Sequence, residues 1–124
     1  MVYATVGPTR FIAITDAMEG AGKGDGVYGL GGHTVTVAKG KATLADGTLA
    51  GSLLTMDQAA RNLRAWCNLG WQELAHVTAT NAADQQGWLD TGRLTEGCLA
   101  DLVVVDDDLN VQATYVRGEK IYSA

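Results

Sequence analysis

A chain of 124 residues, 47% of them apolar and 19% charged, has the make-up of one small folded domain rather than of a disordered segment. Its net charge of −5 and pI near 4.7 argue against nucleic acid and anionic membrane as partners. No apolar run approaches the ~20 residues a membrane-spanning helix needs, and the opening MVYATVGPTR lacks the basic-then-apolar pattern of a secretion signal.

Residues 11–15 form a short continuous apolar run, opened by Gly7 and Pro8 and closed by Asp16. That pattern predicts a fully buried strand of a parallel sheet, covered on both faces. A loop rich in glycine follows, with Gly20, Gly22, Gly24 and Gly26. The stretch HTVTVAKGKATLADGTLAG then alternates as a hairpin should: residues 34–38, a turn at Lys39 and Gly40, and residues 41–45. Asp46 and Gly47 mark another turn.

Thr55 is placed to cap a helix, with Gln58 in the reciprocal position of a capping box. Met56, Ala59, Ala60, Leu63, Trp66 and Cys67 recur on one face of it, and Gly70 is the expected stop. A second short helix is expected over residues 71–78, and a third capped by Asn81 and ended by Gly87. Beyond it, residues 99–105, 112–116 and 120–122 read as strands, with Arg117, Gly118 and Glu119 as a turn. A lone parallel strand is the odd member of this set, because parallel neighbours come through crossovers. The chain reads as a piece of a larger fold.

Among side chains that could carry chemistry, Asp16 stands out. A carboxylate at the C-terminal end of a buried parallel strand sits where barrel enzymes place their catalytic groups, although such an Asp also serves simply to cap a turn. His33 and His76 have no second His or Cys at ligand spacing and are read as surface or packing residues. Asp106, Asp107 and Asp108 lack the spaced oxygens and glycine of a calcium loop and are read as a turn. Trp66, Trp71 and Trp88 are read as packing residues, and Glu19 as solvated. Cys67 and Cys98 are too few and too far apart for a disulfide framework or a metal clip, which fits a reduced, cytoplasmic protein.

Taken in order, ITDAM, DGVYGLGG, LADGTLAGSLLTMDQAARNL, HVTATNAA and GRLTEGCLADLVVVDDDLNVQATYVRGEKIY resemble the C-terminal part of the N-acetylglucosamine-6-phosphate deacetylases, a family of the amidohydrolase superfamily. The resemblance covers residues 7–122. DGTLAGS followed by LTMD is its most specific element, and the glycine-and-ADLVV tail is shared more widely. It implies metal-dependent hydrolysis of the N-acetyl amide of a sugar phosphate, giving glucosamine 6-phosphate and acetate. Asp16 would then be the catalytic acid and base, taking a proton from the attacking metal-bound water and passing it to the departing amine. Ala50, Gly51 and Ser52 would line the sugar-phosphate pocket, largely through main-chain groups. The metal, zinc or iron in the complete enzyme, would be held by residues on earlier strands, so no metal is expected in this chain.

A complete (β/α)₈ barrel takes about 250 residues. The expected fold is therefore α/β and incomplete: the last strand and helix of such a barrel over residues 1–87, with a hairpin inserted at about residues 27–45, and over residues 88–124 the C-terminal strands of a small flanking β-sandwich. The isolated chain is expected to be inactive and to self-associate as a homo-oligomer. The alternative is a non-catalytic, β-rich scaffold domain that dimerises to bury its apolar surface.

Overall fold

The computed structural model describes residues 2–124, which form two units: Ile14–Ala59, and the residues up to Ala13 together with Ala60–Ala124.

The Ile14–Ala59 unit is built on an antiparallel sheet of β1 (Gly26–Leu30), β2 (His33–Ala38) and β3 (Lys41–Thr43), in that spatial order. Alternation in β2 drives its formation. Val35 and Val37 point inward and are buried, whereas Thr34 and Thr36 face out. The turn at Lys39 and Gly40 has φ of 51° and 74°, two left-handed residues whose twist matches the strands they join. Met18, Val35, Val37 and Ala42 form the core, with Tyr28, Leu44, Ala50 and Leu53 packed around them. After β3 the Asp46 carboxylate accepts the Thr48 N–H at 2.9 Å, closing the turn expected there. The chain then runs back beside β3, with the Ala50 N–H bonded to the Ala42 carbonyl at 2.9 Å.

The other unit is mainly helical with a terminal sheet. Its helices are α1 (Val2–Val6), α2 (Met56–Cys67, which begins in the preceding unit), α3 (Trp71–Ala75) and α4 (Asn81–Gln86). Ala60, Leu63 and Cys67 of α2 pack against a core of Leu69, Leu74, Val77 and Leu109. Met56 and Trp66 are exposed rather than packed, so the buried stripe is narrower than the spacing predicts. Asn68 takes the left-handed residue after α2, with φ of 53°, while Gly70 begins the next helix and donates its N–H to the Glu73 carboxylate at 3.0 Å.

The two helices expected after Gly70 are one continuous helical run, α3 and α4 being joined by a π turn, His76–Thr80. Asn81 is therefore not a cap. Its backbone is helical, and its side chain is used elsewhere. Gly87, with φ of 73°, ends the run as expected. The terminal sheet pairs β4 (Leu102–Val105), β5 (Val111–Val116) and β6 (Glu119–Ser123) antiparallel and in sequence order. Asp106 closes the acidic turn between β4 and β5, accepting the N–H groups of Asp108 and Asn110 at 3.0 and 2.8 Å.

The parallel strand expected over residues 11–15 is not formed. A strand exists only through a ladder, and no described segment runs beside this one to supply it. Ala13 is buried, but Ile14 is 73% exposed, so the run is not covered on both faces. Among the described residues the parallel pairing that does occur is a single bridge, Ala17 to Ser52.

Candidate active site

The segment that precedes Asp16 in the chain is held by hydrogen bonds rather than by a sheet. In its own unit, residues 8–13 are held by Asn81, whose side-chain amide donates to the carbonyls of Pro8 at 2.6 Å and Phe11 at 2.8 Å. The Ala13 N–H donates to the Val77 carbonyl at 2.8 Å. Phe11 also meets Tyr3 edge to face, with ring centroids 5.6 Å apart, and the Tyr3 hydroxyl donates to Glu73 at 3.1 Å. Loss of hydration and the adjoining Glu73 carboxylate raise the Tyr3 pKa above its ordinary value.

In the Ile14–Ala59 unit, Asp16 has φ of 52° and an exposed side chain. Few residues adopt that backbone readily, and Asp is among them. The Thr15 hydroxyl accepts the Ala17 N–H at 3.3 Å, tightening the bend. Two bonds then join this bend to the segment that follows β3: Ser52 N–H to the Asp16 carbonyl at 3.3 Å, and Met18 N–H to the Ser52 carbonyl at 2.9 Å. Asp16 and residues 50–52 are thus neighbours, as a shared site requires.

Gly51 sits in the middle of this junction with φ of 143°, a conformation reserved in practice for glycine. A Cβ there would lie 3.3 Å from the Met18 Cβ. The amides on either side are already engaged, Ala50 with Ala42 and Ser52 with Asp16. The Ser52 hydroxyl accepts the Leu54 N–H at 3.0 Å. Met18 is buried and packs against Gly51, a contact the sequence pattern does not single out, since one Met after a loop has no signature.

His33 is exposed at the start of β2 and His76 is half-buried in the π turn. Among the described residues no three His, Cys, Asp or Glu side chains cluster as a metal site would require. These residues therefore do not by themselves fit a catalytic metal. A concavity of about 350 Å³ lies elsewhere, lined by Arg61, Arg64, Asp107 and Leu109. Its arginines serve the fold: Arg61 donates to the Leu109 carbonyl and Arg64 to that of Asp107, both at 2.9 Å. No helix among the described residues is long and apolar enough to cross a membrane.

The sequence profile of the Amidohydrolase family matches residues 10–121. The N-acetylglucosamine-6-phosphate deacetylase of Bacillus subtilis (strain 168) is 44% identical over 119 residues, covering 95% of this chain and 30% of that protein. Among solved structures, the N-acetylglucosamine-6-phosphate deacetylase of Thermotoga maritima matches with a TM-score of 0.89 at 40% identity, over 99% of this chain and 34% of that one. The Mycobacterium smegmatis enzyme, solved as a mutant in complex with N-acetyl-D-glucosamine-6-phosphate, matches with a TM-score of 0.87 at 40% identity, over 98% of this chain and 33% of that one. The chain spans about 30% of the length of the Bacillus subtilis and Lysinibacillus sphaericus deacetylases it matches.

Proposed function

The chain belongs to the amidohydrolase family, and from that premise we propose that it serves as the C-terminal part of a deacetylase acting on N-acetylglucosamine 6-phosphate. The observation that carries this reading is the backbone junction of Asp16 with Ser52, which brings one unshielded carboxylate beside the residues assigned to the sugar phosphate. The relatives' activity and the M. smegmatis complex with the sugar phosphate support the same substrate.

In the proposed reaction, the Asp16 carboxylate accepts a proton from water as the water oxygen bonds to the acetyl carbonyl carbon. The same proton then moves to the amide nitrogen as the carbon–nitrogen bond breaks, leaving acetate and the free amine. One residue acts first as base and then as acid. Because the amides of Ala50 and Ser52 are already engaged within the chain, close approach to the ligand falls to Gly51, whose missing side chain leaves room for it. Ser52 and Ala50 hold Gly51 in place. A divalent metal, zinc or iron, belongs in this proposal to residues outside the chain.

In the complete protein the segment of residues 11–15 would gain the parallel neighbours that turn such a run into a barrel strand, with β4, β5 and β6 as part of a small flanking sandwich. Trp66 at 78% and Leu94 at 85% exposure support self-association of the isolated chain. The free cysteines Cys67 and Cys98 are in keeping with a reducing, cytoplasmic setting. A self-standing scaffold has no comparable support, since the match to deacetylases runs through nearly the whole chain.

The test is Asp16→Asn in a hybrid in which this chain replaces the matching residues of the B. subtilis relative. The amide keeps the shape of the carboxylate but cannot carry the proton, so kcat falls by about 10²–10⁴-fold with the fold intact. A near-normal rate of acetate release would overturn the assignment.

A further inference from the structure

The glycine-rich loop after Met18 takes no part in the proposed reaction, yet the segment that carries it leaves Gly51 and comes back to it. Met18, before the loop, has its Cβ 3.3 Å from the place a Cβ on Gly51 would take. Leu30, at the end of β1, brings its Cδ2 within 3.8 Å of the same point. Residues 18–30 all belong to the Ile14–Ala59 unit, as do Asp16 and residues 50–52.

Tyr28 closes this excursion. It stands half-buried on β1 and packs against the core of Met18, Val35, Val37 and Ala42. Its ring lies against Gly20, where a Cβ would come 2.8 Å from the ring Cδ2, so only glycine lets the loop pass there undisturbed. The Tyr28 hydroxyl donates to the Gly24 carbonyl at 3.0 Å. Between these two points the Lys23 ammonium sits 5.9 Å from the ring centroid and pairs with Glu19 at 3.3 Å. An exposed ion pair four residues apart contributes little, so the hydroxyl bond is the specific tie. One side chain holds both the start and the crest of the loop.

We propose that Tyr28 is a positioning residue for the sugar-phosphate pocket: it keeps the loop folded before the ligand arrives, and so keeps Met18 and Leu30 seated against Gly51. This rests on the role of Gly51 proposed above. A loop that opens has to be closed again by the ligand, and apparent affinity falls with the fraction of molecules that are closed. The effect therefore appears in KM rather than in kcat.

Tyr28→Phe removes the hydroxyl and keeps the ring, so the core stays filled. Two readings are taken on it in the B. subtilis hybrid: the rate at which trypsin cuts between Lys23 and Gly24, and the kinetics of acetate release. Cutting follows the open population of the loop, and KM follows the inverse of the closed one. The two rises therefore multiply to the change in the loop's equilibrium, about tenfold for one hydrogen bond. Each should be at least about twofold, with kcat nearly constant and cutting after Lys41 in β3 unchanged. An unaltered rate at Lys23, or an equal rise at Lys41, would overturn the proposal, the second by making Tyr28 a general stability residue. Faster cutting with KM raised by Gly51→Ala but not by Tyr28→Phe would overturn it too, since the loop would then lie outside the pocket. If neither variant raises KM, the role of Gly51 has failed and the proposal falls with it, while cutting at Lys23 still reports on the tie by itself.

Discussion

Ser52 donates its backbone N–H to the carbonyl of Asp16 and accepts the N–H of Met18 two residues on, although a whole three-stranded sheet lies between them in the chain. The pairing makes Gly51 the residue on which the junction turns. With φ of 143° and its Cβ direction 3.3 Å from the Met18 Cβ, Gly51 tolerates no side chain without a backbone shift. Gly51→Ala should therefore cost about 1–3 kcal/mol of stability and raise KM for the sugar phosphate in the hybrid. Urea denaturation and initial-rate kinetics give the two readings. A variant with unaltered midpoint and KM would remove Gly51 from the site.

Two glycines beyond the helical run have nearly the same φ but different surroundings. Gly87 and Gly92 have φ of 73° and 72°, but a Cβ on Gly87 would meet nothing within 4 Å, whereas one on Gly92 would lie 2.7 Å from the Ala83 Cβ and 3.1 Å from the Ala79 carbonyl oxygen. The Thr80 hydroxyl also donates to the Gly92 carbonyl at 2.6 Å, pinning that loop to the π turn. Gly87→Ala should cost about 1–2 kcal/mol, the ordinary penalty of the left-handed region. Gly92→Ala adds overpacking of about 1–3 kcal/mol to it. Equal midpoints for the two variants in urea would contradict this packing.

Much of the local structure is legible in the chain itself. The alternation of β2, the Lys39–Gly40 and Asp46–Gly47 turns, the Gly87 stop and the acidic turn at Asp106 all follow from short-range rules that need no partner. What is not legible depends on distant partners. An apolar run does not say whether a neighbouring strand is present to pair with it, so residues 11–15 look like a strand and are not one. Asn81 looks like a helix cap because Asn favours that place, yet its side chain serves two carbonyls some seventy residues upstream. The candidate site divides the same way. Asp16 and residues 50–52 can be named from their motifs, but their meeting depends on a sheet closing between them, and Met18 beneath Gly51 leaves no trace in spacing.

Asp106 gives a pH dependence of known sign. Hydrogen bonds from the Asn110 side chain and backbone, then from Asp108 and Gln112, favour its ionised form and lower its pKa below the ordinary 3.8. A carboxyl group depressed in the folded state contributes stability that is fully present above the unfolded pKa and is lost as pH falls through the folded one. Asp106→Asn should melt below the parent chain at pH 7, because its amide turns hydrogens toward donors. The gap should narrow only below about pH 4. Thermal melts across pH 2–7 measure it, and a gap independent of pH would mean that the charge plays no part in the turn.

The chain matches only about a third of the length of its B. subtilis and T. maritima relatives, and this limits what it can do alone. A catalytic zinc ordinarily has three protein ligands. The described residues gather no three His, Cys, Asp or Glu side chains, and neither His33 nor His76 has such neighbours. The purified 124-residue chain should therefore bind neither zinc nor iron in stoichiometric amount, and Asp16 alone is too weak a base to activate unassisted water. No acetate should be released from N-acetylglucosamine 6-phosphate by the chain, whereas the B. subtilis hybrid should release it and lose that activity on chelation of its metal. Metal analysis and an acetate assay on both proteins decide the matter. Stoichiometric metal or turnover in the isolated chain would mean that it assembles a complete site from its own residues, and the division of labour proposed for Asp16 would have to be abandoned.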